Sequence, residues 1–187
     1  MTIAIVLLAA GRSSRFGRAK LAADLGGKAL VLHAAEVLAQ LDVALRIAVV
    51  SAETPPLAAL GFDCVLLKPV GAPLSQSLRL GVAQAVAGGA SAVLIALADM
   101  PLVPPAHFRT LIESFDGTGI ATCAEEMAMP PALFGPCLLA ALQNRDGDQG
   151  ARTLLEGLPT IELEPDLALD VDTPADLERA KQLLGVR

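Results

Sequence analysis

Ile3-Ala4-Ile5-Val6-Leu7-Leu8-Ala9-Ala10-Gly11-Arg12-Ser13-Ser14-Arg15-Phe16-Gly17-Arg18-Ala19-Lys20 opens the chain with an abrupt change of chemistry. The wholly apolar run from Ile3 to Leu8 reads as a buried strand. It stops at a turn of small residues, after which Arg12, Arg15, Arg18 and Lys20 arrive in quick succession. Backbone N–H groups of Gly and Ser approach anionic oxygens closely, and cationic side chains neutralise them, so the loop suits a phosphate-bearing ligand. Solvated loop charges would show the same composition, and the remainder of the chain has to decide between the two readings.

Moving outward, apolar strand-like runs recur at Arg46–Val50, Cys64–Leu67, Val93–Leu97 and Gly119–Cys123. Helical spacing fills the gaps between them. Leu30, Ala34, Val37, Leu38 and Leu41 repeat on one face, as do Leu78, Val82, Ala85 and Val86. Phe108, Leu111, Ile112 and Phe115 follow a Pro104-Pro105 helix start. Alternating strands and helices, with most strands apolar throughout, predict an α/β three-layer sandwich around a mainly parallel central sheet. Past residue 124 the pattern loosens. Met127-Ala128-Met129-Pro130-Pro131 reads as a breaker, followed by the short run Ala132-Leu133-Phe134 and two helices. The last helix has Thr173 as its cap, Pro174 at its first position and Asp176 completing a weak capping box, with Leu177, Ala180 and Leu184 facing inward. The length of 187 residues predicts a single domain over 1–187.

Composition narrows the partners. A formal charge of −6 argues against nucleic acid, which needs a basic surface, and the lack of Trp and Tyr removes the usual base-stacking platforms. Although 53% of residues are hydrophobic, no run reaches the roughly 18–20 residues that cross a bilayer, and the first ten residues lack a basic leader region. The expectation is a cytoplasmic protein without a membrane partner. Cys64, Cys123 and Cys137 are far apart and odd in number, so they read as small core residues, not as a zinc site or disulfide framework.

In parallel sheets ligands sit at the carboxyl ends of the strands. Polar segments occur there repeatedly: the Gly/Ser/Arg loop after the first strand, Lys68-Pro69-Val70-Gly71 after the third, and Asp99-Met100-Pro101 after the fourth. Two common phosphate loops do not fit. Gly11 and Gly17 have five residues between them, one more than a Walker loop allows, and Gly26-Gly27-Lys28-Ala29 lacks the hydroxyl that such a loop gives to Mg²⁺. The dinucleotide fingerprint G-x-G-x-x-G is also absent, and the second strand ends at Val50-Ser51 without the expected acid.

Leu8-Ala9-Ala10-Gly11-Arg12-Ser13-Ser14-Arg15-Phe16-Gly17 with Lys20 instead resembles the signature of the sugar-nucleotide-type nucleotidyltransferases. Within that superfamily the chain most resembles the molybdenum cofactor cytidylyltransferases, a MobA-like branch. Further segments carry the likeness: Gly71 through Ser75-Gln76-Ser77-Leu78 with Gly81, Leu97-Ala98-Asp99-Met100-Pro101, and Pro131-Ala132-Leu133-Phe134-Gly135. Gly147-Asp148-Gln149-Gly150-Ala151-Arg152 and Asp170-Val171-Asp172-Thr173-Pro174-Ala175-Asp176-Leu177 narrow it to the molybdopterin branch. The resemblance implies a Rossmann-like nucleotidyltransferase fold. It divides the chain into a nucleotide-binding half, about 1–123, and an acceptor-binding half, about 124–187.

The roles follow from the resemblance, weighed against plainer ones. Asp99 could be a turn acid, but an acid at the end of a central strand is placed to hold Mg²⁺ against a triphosphate. The resemblance adds Asp172 as second ligand and Asp170 as a third candidate, although Asp172 could belong to the run-up to the Thr173 cap and Asp170 could be a solvent-facing partner. It makes Lys20 a phosphate ligand and transition-state stabiliser, with Arg15 on the outer phosphates. Leu8, Ala9, Ala10, Gly11, Arg12 and Ser13 line the nucleotide. Ser75 and Ser77 approach base and ribose, with capping of the following helix as the plainer reading for one of them. Asp148 and Arg152 lie near the pterin, Lys28 sits on the surface beside the site, and His33 and His107 take no catalytic part.

One departure concerns the acceptor: many relatives carry Gly-His-Pro where this chain has Met129-Pro130-Pro131. The implied reaction moves CMP from CTP to the terminal phosphate of a molybdopterin-type cofactor, with a molybdoenzyme as receiver of the product. Ala10 underlies the choice of CTP, because guanylyl relatives commonly carry Gly there and a methyl group narrows the base pocket. Another phosphorylated acceptor (a sugar phosphate or phospholactate), GTP as donor, and a non-catalytic nucleotide-binding or cofactor-delivery module stay open as alternatives.

Overall fold

Strand β1 (Ile3–Ala9) is buried along nearly its whole length inside a seven-stranded sheet. In the computed structural model, which describes residues 1–11, 16, 19–69, 72–144 and 153–186, it pairs in parallel with β4 (Leu45–Val50) and β6 (Ala92–Leu97). Two short strands, β2 (Asp24–Leu25) and β3 (Lys28–Ala29), form a separate hairpin between β1 and β4 in the chain. Strand β5 (Asp63–Leu66) extends the sheet beyond β4. On the other side come β7 (Gly119–Ala124), β8 (Met127–Phe134) and β9 (Thr160–Glu162), giving the order β5-β4-β1-β6-β8-β7-β9. Only β8 among the described strands of this sheet runs against the others. The chain thus moves outward from β1 to β5 and crosses back to β6, placing a switch in strand order beside β1, where a crevice opens at the carboxyl ends.

Alternation along β1 separates the two cores. Ile5, Leu7 and Ala9 join the cluster under α1 (Leu30–Ala39), α3 (Pro105–Glu113) and α5 (Pro174–Leu184). Ala4, Val6, Leu8 and Ala10 join the cluster under α2 (Leu74–Ala87) and α4 (Pro136–Asn144). The mainly parallel three-layer sandwich is therefore present, and the sequence periodicity has its physical counterpart in these two faces.

Gly81 marks where the α2 layer sits closest to the sheet. A Cβ there would lie 2.4 Å from Val6 Cγ1 and 3.0 Å from Val49 Cγ2, on two fully buried valines. Gly81→Ala is therefore expected to destabilise the fold by about 1–3 kcal/mol through overpacking. The higher helix propensity of alanine, about 1 kcal/mol, only partly offsets that. Urea unfolding measures it, and an unchanged or higher midpoint would show that the layer gives way freely.

Several expectations need correction. Met127–Pro131 is not a breaker but the first part of β8, which starts after a tight turn with Glu125 and Glu126 at positive φ. The prolines are tolerated because the β7–β8 register shifts between Ala121, opposite Ala132, and Thr122, opposite Met129. Pro130 and Pro131 fall in that bulge, where no donor is required. Thr122 Oγ1 donates to Pro131 O at 2.7 Å and lies 2.8 Å from His107 Nε2, so the imidazole donates in turn and is held as a buried structural group. Burial lowers the His107 pKa, in keeping with a neutral ring. Cys123 is buried as expected, whereas Cys64, on the edge strand β5, and Cys137, in the first turn of α4, are exposed. Leu184 and Val86 also face solvent, although the neighbouring helix positions Ala180 and Ala85 are fully buried.

Candidate active site

Three backbone ends converge at the crevice. Strand β1 delivers Ala9-Ala10-Gly11, strand β6 delivers Leu97-Ala98-Asp99, and the segment before α5 delivers Asp170-Val171-Asp172. Hydrogen bonds fix them to one another. Ala98 N–H donates to Leu8 O at 3.1 Å and Val171 N–H donates to Asp99 O at 3.0 Å. Thr54 Oγ1, from the loop after β4, donates to Ala9 O at 2.6 Å. Val171 is fully buried in the core, so the acids on either side of it are presented from an anchored backbone.

Lys20 occupies the centre. It begins a one-turn 3-10 helix, Lys20–Ala22, held down by buried Leu21 and, earlier in the loop, by buried Phe16. Its ammonium donates to Asp99 Oδ2 at 2.8 Å and to Asp172 Oδ1 at 3.0 Å, while only 7% of its side chain is exposed. Burial lowers the Lys20 pKa, but the charge of Asp99 and the bonds to Asp99 and Asp172 outweigh it and leave the pKa above its ordinary 10.5. The ammonium is therefore charged at any physiological pH.

Asp99, Asp170 and Asp172 each offer a carboxylate oxygen within 4.8 Å of the others. Three carboxylates against one ammonium leave a surplus of negative charge among the described side chains. Asp170 is exposed as a residue and lines a cavity, but its carboxyl lies among the other acids. Burial first, then the charges of Asp99 and Asp172, push its pKa up to about 7, while Lys20 pulls it down. Hard oxygen ligands this close suit a small divalent cation such as Mg²⁺.

The structure thus brings together Lys20, Asp99, Asp170 and Asp172, with Leu8, Ala9, Ala10 and Gly11 at the adjoining strand end. Leu8, Ala9 and Ala10 are buried, and Gly11 is exposed. Ser75 and Ser77 are buried in the first turn of α2, but they do not cap it: Pro73 is the N-cap, because its extended backbone already breaks the helix. A cavity of about 390 Å³ opens beside the acids, lined by Leu8, Leu78, Leu97, Met129, Pro130 and Asp170 among others. Lys28 lies elsewhere, ion-paired with Glu36 on α1, and His33 Nε2 is 2.8 Å from Leu25 O. Arg12, Ser13, Arg15, Asp148 and Arg152 fall outside the described residues. Sequence reading missed the tether of Thr54 on β1 and the anchoring by Phe16. A Thr in a polar turn carries no distinctive signal, but a lone Phe inside a Gly/Ser/Arg loop is one that could have been used.

Comparison with known proteins agrees with this geometry. The family described as the MobA-like NTP transferase domain matches residues 5–164. A phosphoenolpyruvate guanylyltransferase of Sphaerobacter thermophilus is 37% identical over 122 residues, covering 60% of this chain and 57% of that protein. A probable molybdenum cofactor guanylyltransferase of Thermococcus sibiricus is 32% identical over 120 residues, covering 63% and 58%. The match therefore spans somewhat more than half the length of each curated relative. Among solved structures, Rv0371c from Mycobacterium tuberculosis H37Rv superposes with a TM-score of 0.82 at 25% identity over 97% of both chains. With its family match running through β1, the Asp99 turn and β9, the chain belongs to the MobA-like NTP transferase domain family.

Proposed function

We propose that the chain transfers CMP from CTP to the terminal phosphate of a molybdopterin-type acceptor and releases pyrophosphate. The observation that carries this reading is the seating of Lys20 between Asp99 and Asp172, with Asp170 alongside, at the carboxyl ends of β1 and β6. An acceptor phosphate oxygen would bond to the α-phosphorus of the nucleotide while the bond from that phosphorus to the oxygen bridging to the β-phosphate breaks, and pyrophosphate takes the electron pair. The acceptor is already anionic near neutral pH, so no side chain need remove a proton, in keeping with His107 and His33 being engaged in structural bonds. The work is positional and electrostatic.

Lys20 stabilises charge that builds on the transferring and leaving phosphates, and the proposal assigns Arg15 to the outer ones. A divalent cation held by Asp99, Asp172 and Asp170, with Mg²⁺ as the natural choice, would neutralise the α-phosphate region. The nucleotide falls to the half of the chain before residue 124 and the acceptor to the half after it. Met129 and Pro130, which line the cavity next to Asp170, belong to the acceptor side.

The choice of CTP rests on the presence of Ala10 where guanylyl relatives commonly carry Gly; its methyl group is buried with Leu8, Ala72 and Leu78 in the core on the α2 side. GTP is the second reading, favoured by the names of both curated relatives. Pyrophosphate release from CTP or GTP, with and without purified molybdenum cofactor, is the test. Release from CTP that depends on the cofactor is expected. Preference for GTP would overturn the base assignment, release only with another phosphorylated acceptor would overturn the pterin, and no release from either nucleotide would point to a binding or delivery module.

A further inference from the structure

Asp176 stands four residues beyond Asp172 and takes no part in the chemistry proposed above, yet its carboxylate gathers the backbone from which Asp172 projects. Its Oδ2 accepts from Thr173 N–H at 2.7 Å, from Thr173 Oγ1 at 2.8 Å and from Asp172 N–H at 3.2 Å. The first of these and the bond from Asp176 N–H to Thr173 Oγ1 at 3.3 Å are the reciprocal pair of a helix-capping box, and the hydroxyl bond reinforces it. The third is not needed to cap α5. It reaches past the cap to the amide of a site acid. On the other side of Asp172, Val171 N–H is held by Asp99 O and the Val171 side chain is sealed in the core. The amides of both Val171 and Asp172 are therefore fixed, one by Asp99 and one by Asp176.

We propose that Asp176 is a positioning residue that sets the backbone of Asp172, and so the carboxylate spacing that a divalent cation needs; this rests on the reading of Asp99, Asp170 and Asp172 as its ligands. Outer partners of this kind typically govern metal affinity by about 10–100-fold. The capping role and the positioning role separate cleanly by substitution. Thr173→Ala removes the hydroxyl bonds of the cap but leaves Asp176 free to accept from both backbone amides. Asp176→Ala removes everything.

Binding of Mn²⁺ alone to the full chain, followed by the EPR signal of free Mn²⁺, reads the difference, with thermal midpoints recorded in parallel. Both variants should lower the midpoint. Asp176→Ala should raise the Mn²⁺ Kd by about tenfold or more, while Thr173→Ala should leave it within about twofold, below the range expected for an outer partner. Asp176→Glu, which restores a carboxylate at the usual capping-box position, should recover much of the affinity. If Asp176→Ala does not fold, Asp176→Asn is read in its place, and a weaker affinity than wild type is again expected.

An unchanged Kd in the Asp176 variant, or an equal loss in Thr173→Ala, overturns the proposal. A loss that vanishes at about 1 M salt, where the Debye length is roughly 3 Å, reflects distant charge and overturns it too. Failure of the underlying metal reading looks different: the wild-type chain would show no Mn²⁺ binding that Asp99→Asn abolishes.

Discussion

Lys20→Ala is expected to reduce nucleotidyl transfer by about 10²–10³-fold, the usual scale for removing one preorganised charge from a buried catalytic site. The ammonium is almost fully enclosed and held by two carboxylates, so it needs little reorganisation to meet a polyanion. Removing it has a second consequence. Asp99, Asp170 and Asp172 would face one another without the cation that now lies 2.8 and 3.0 Å from two of them. The variant should therefore lose thermal stability at neutral pH and regain it as Mg²⁺ or Mn²⁺ is added, since binding to the folded state alone stabilises it. Lys20→Arg should not restore turnover, because a planar guanidinium does not fit where a compact ammonium is enclosed by Asp99 and Asp172. Steady-state pyrophosphate release, with unfolding curves at several metal concentrations, measures both effects. Turnover near that of wild type would remove Lys20 from the chemistry altogether.

That such a residue could be singled out from sequence reflects how directly strand endings encode a parallel sheet. The apolar runs of β1 and β6 each end in an abrupt change of residue type, and in this topology such endings share one edge. Lys20 and Asp99, 79 positions apart, meet for that reason. Asp172 was harder to read, because nothing in the spacing of Asp170, Asp172 and Asp176 tells a capping acid from a ligand. In the structure Asp176 closes the capping box of the helix, while Asp172 accepts from Lys20. The second half of the sheet was misread at Met127–Pro131 because two adjacent prolines argue against a strand wherever an unbroken ladder is assumed. Only the bulge opposite Ala121 and Thr122, a product of tertiary pairing, makes room for them. Leu184 and Val86 are exposed as well, because helical periodicity marks a face but not which of its positions the neighbouring layer covers.

Asp99→Asn should be the most damaging of the three acid substitutions, with a loss of about 10²–10³-fold in turnover. Its side chain is 23% exposed against 46% for Asp172, so its carboxylate acts in the less solvated surroundings, where electrostatic interactions are stronger. It is also the nearer partner of Lys20, and its backbone carbonyl holds Val171, so one residue connects the β6 edge to the segment bearing the other two acids. Asparagine preserves the shape and leaves that carbonyl untouched. The fold, read by circular dichroism and urea unfolding, should therefore survive while Mn²⁺ affinity and pyrophosphate release fall together. Asp172→Asn should act in the same direction but less strongly, and Asp170→Asn least, because Asp170 is the most exposed of the three acids. A variant at Asp99 that keeps turnover within a few fold of wild type, or that loses turnover without losing Mn²⁺ affinity, would mean that the three acids balance Lys20 rather than hold a metal.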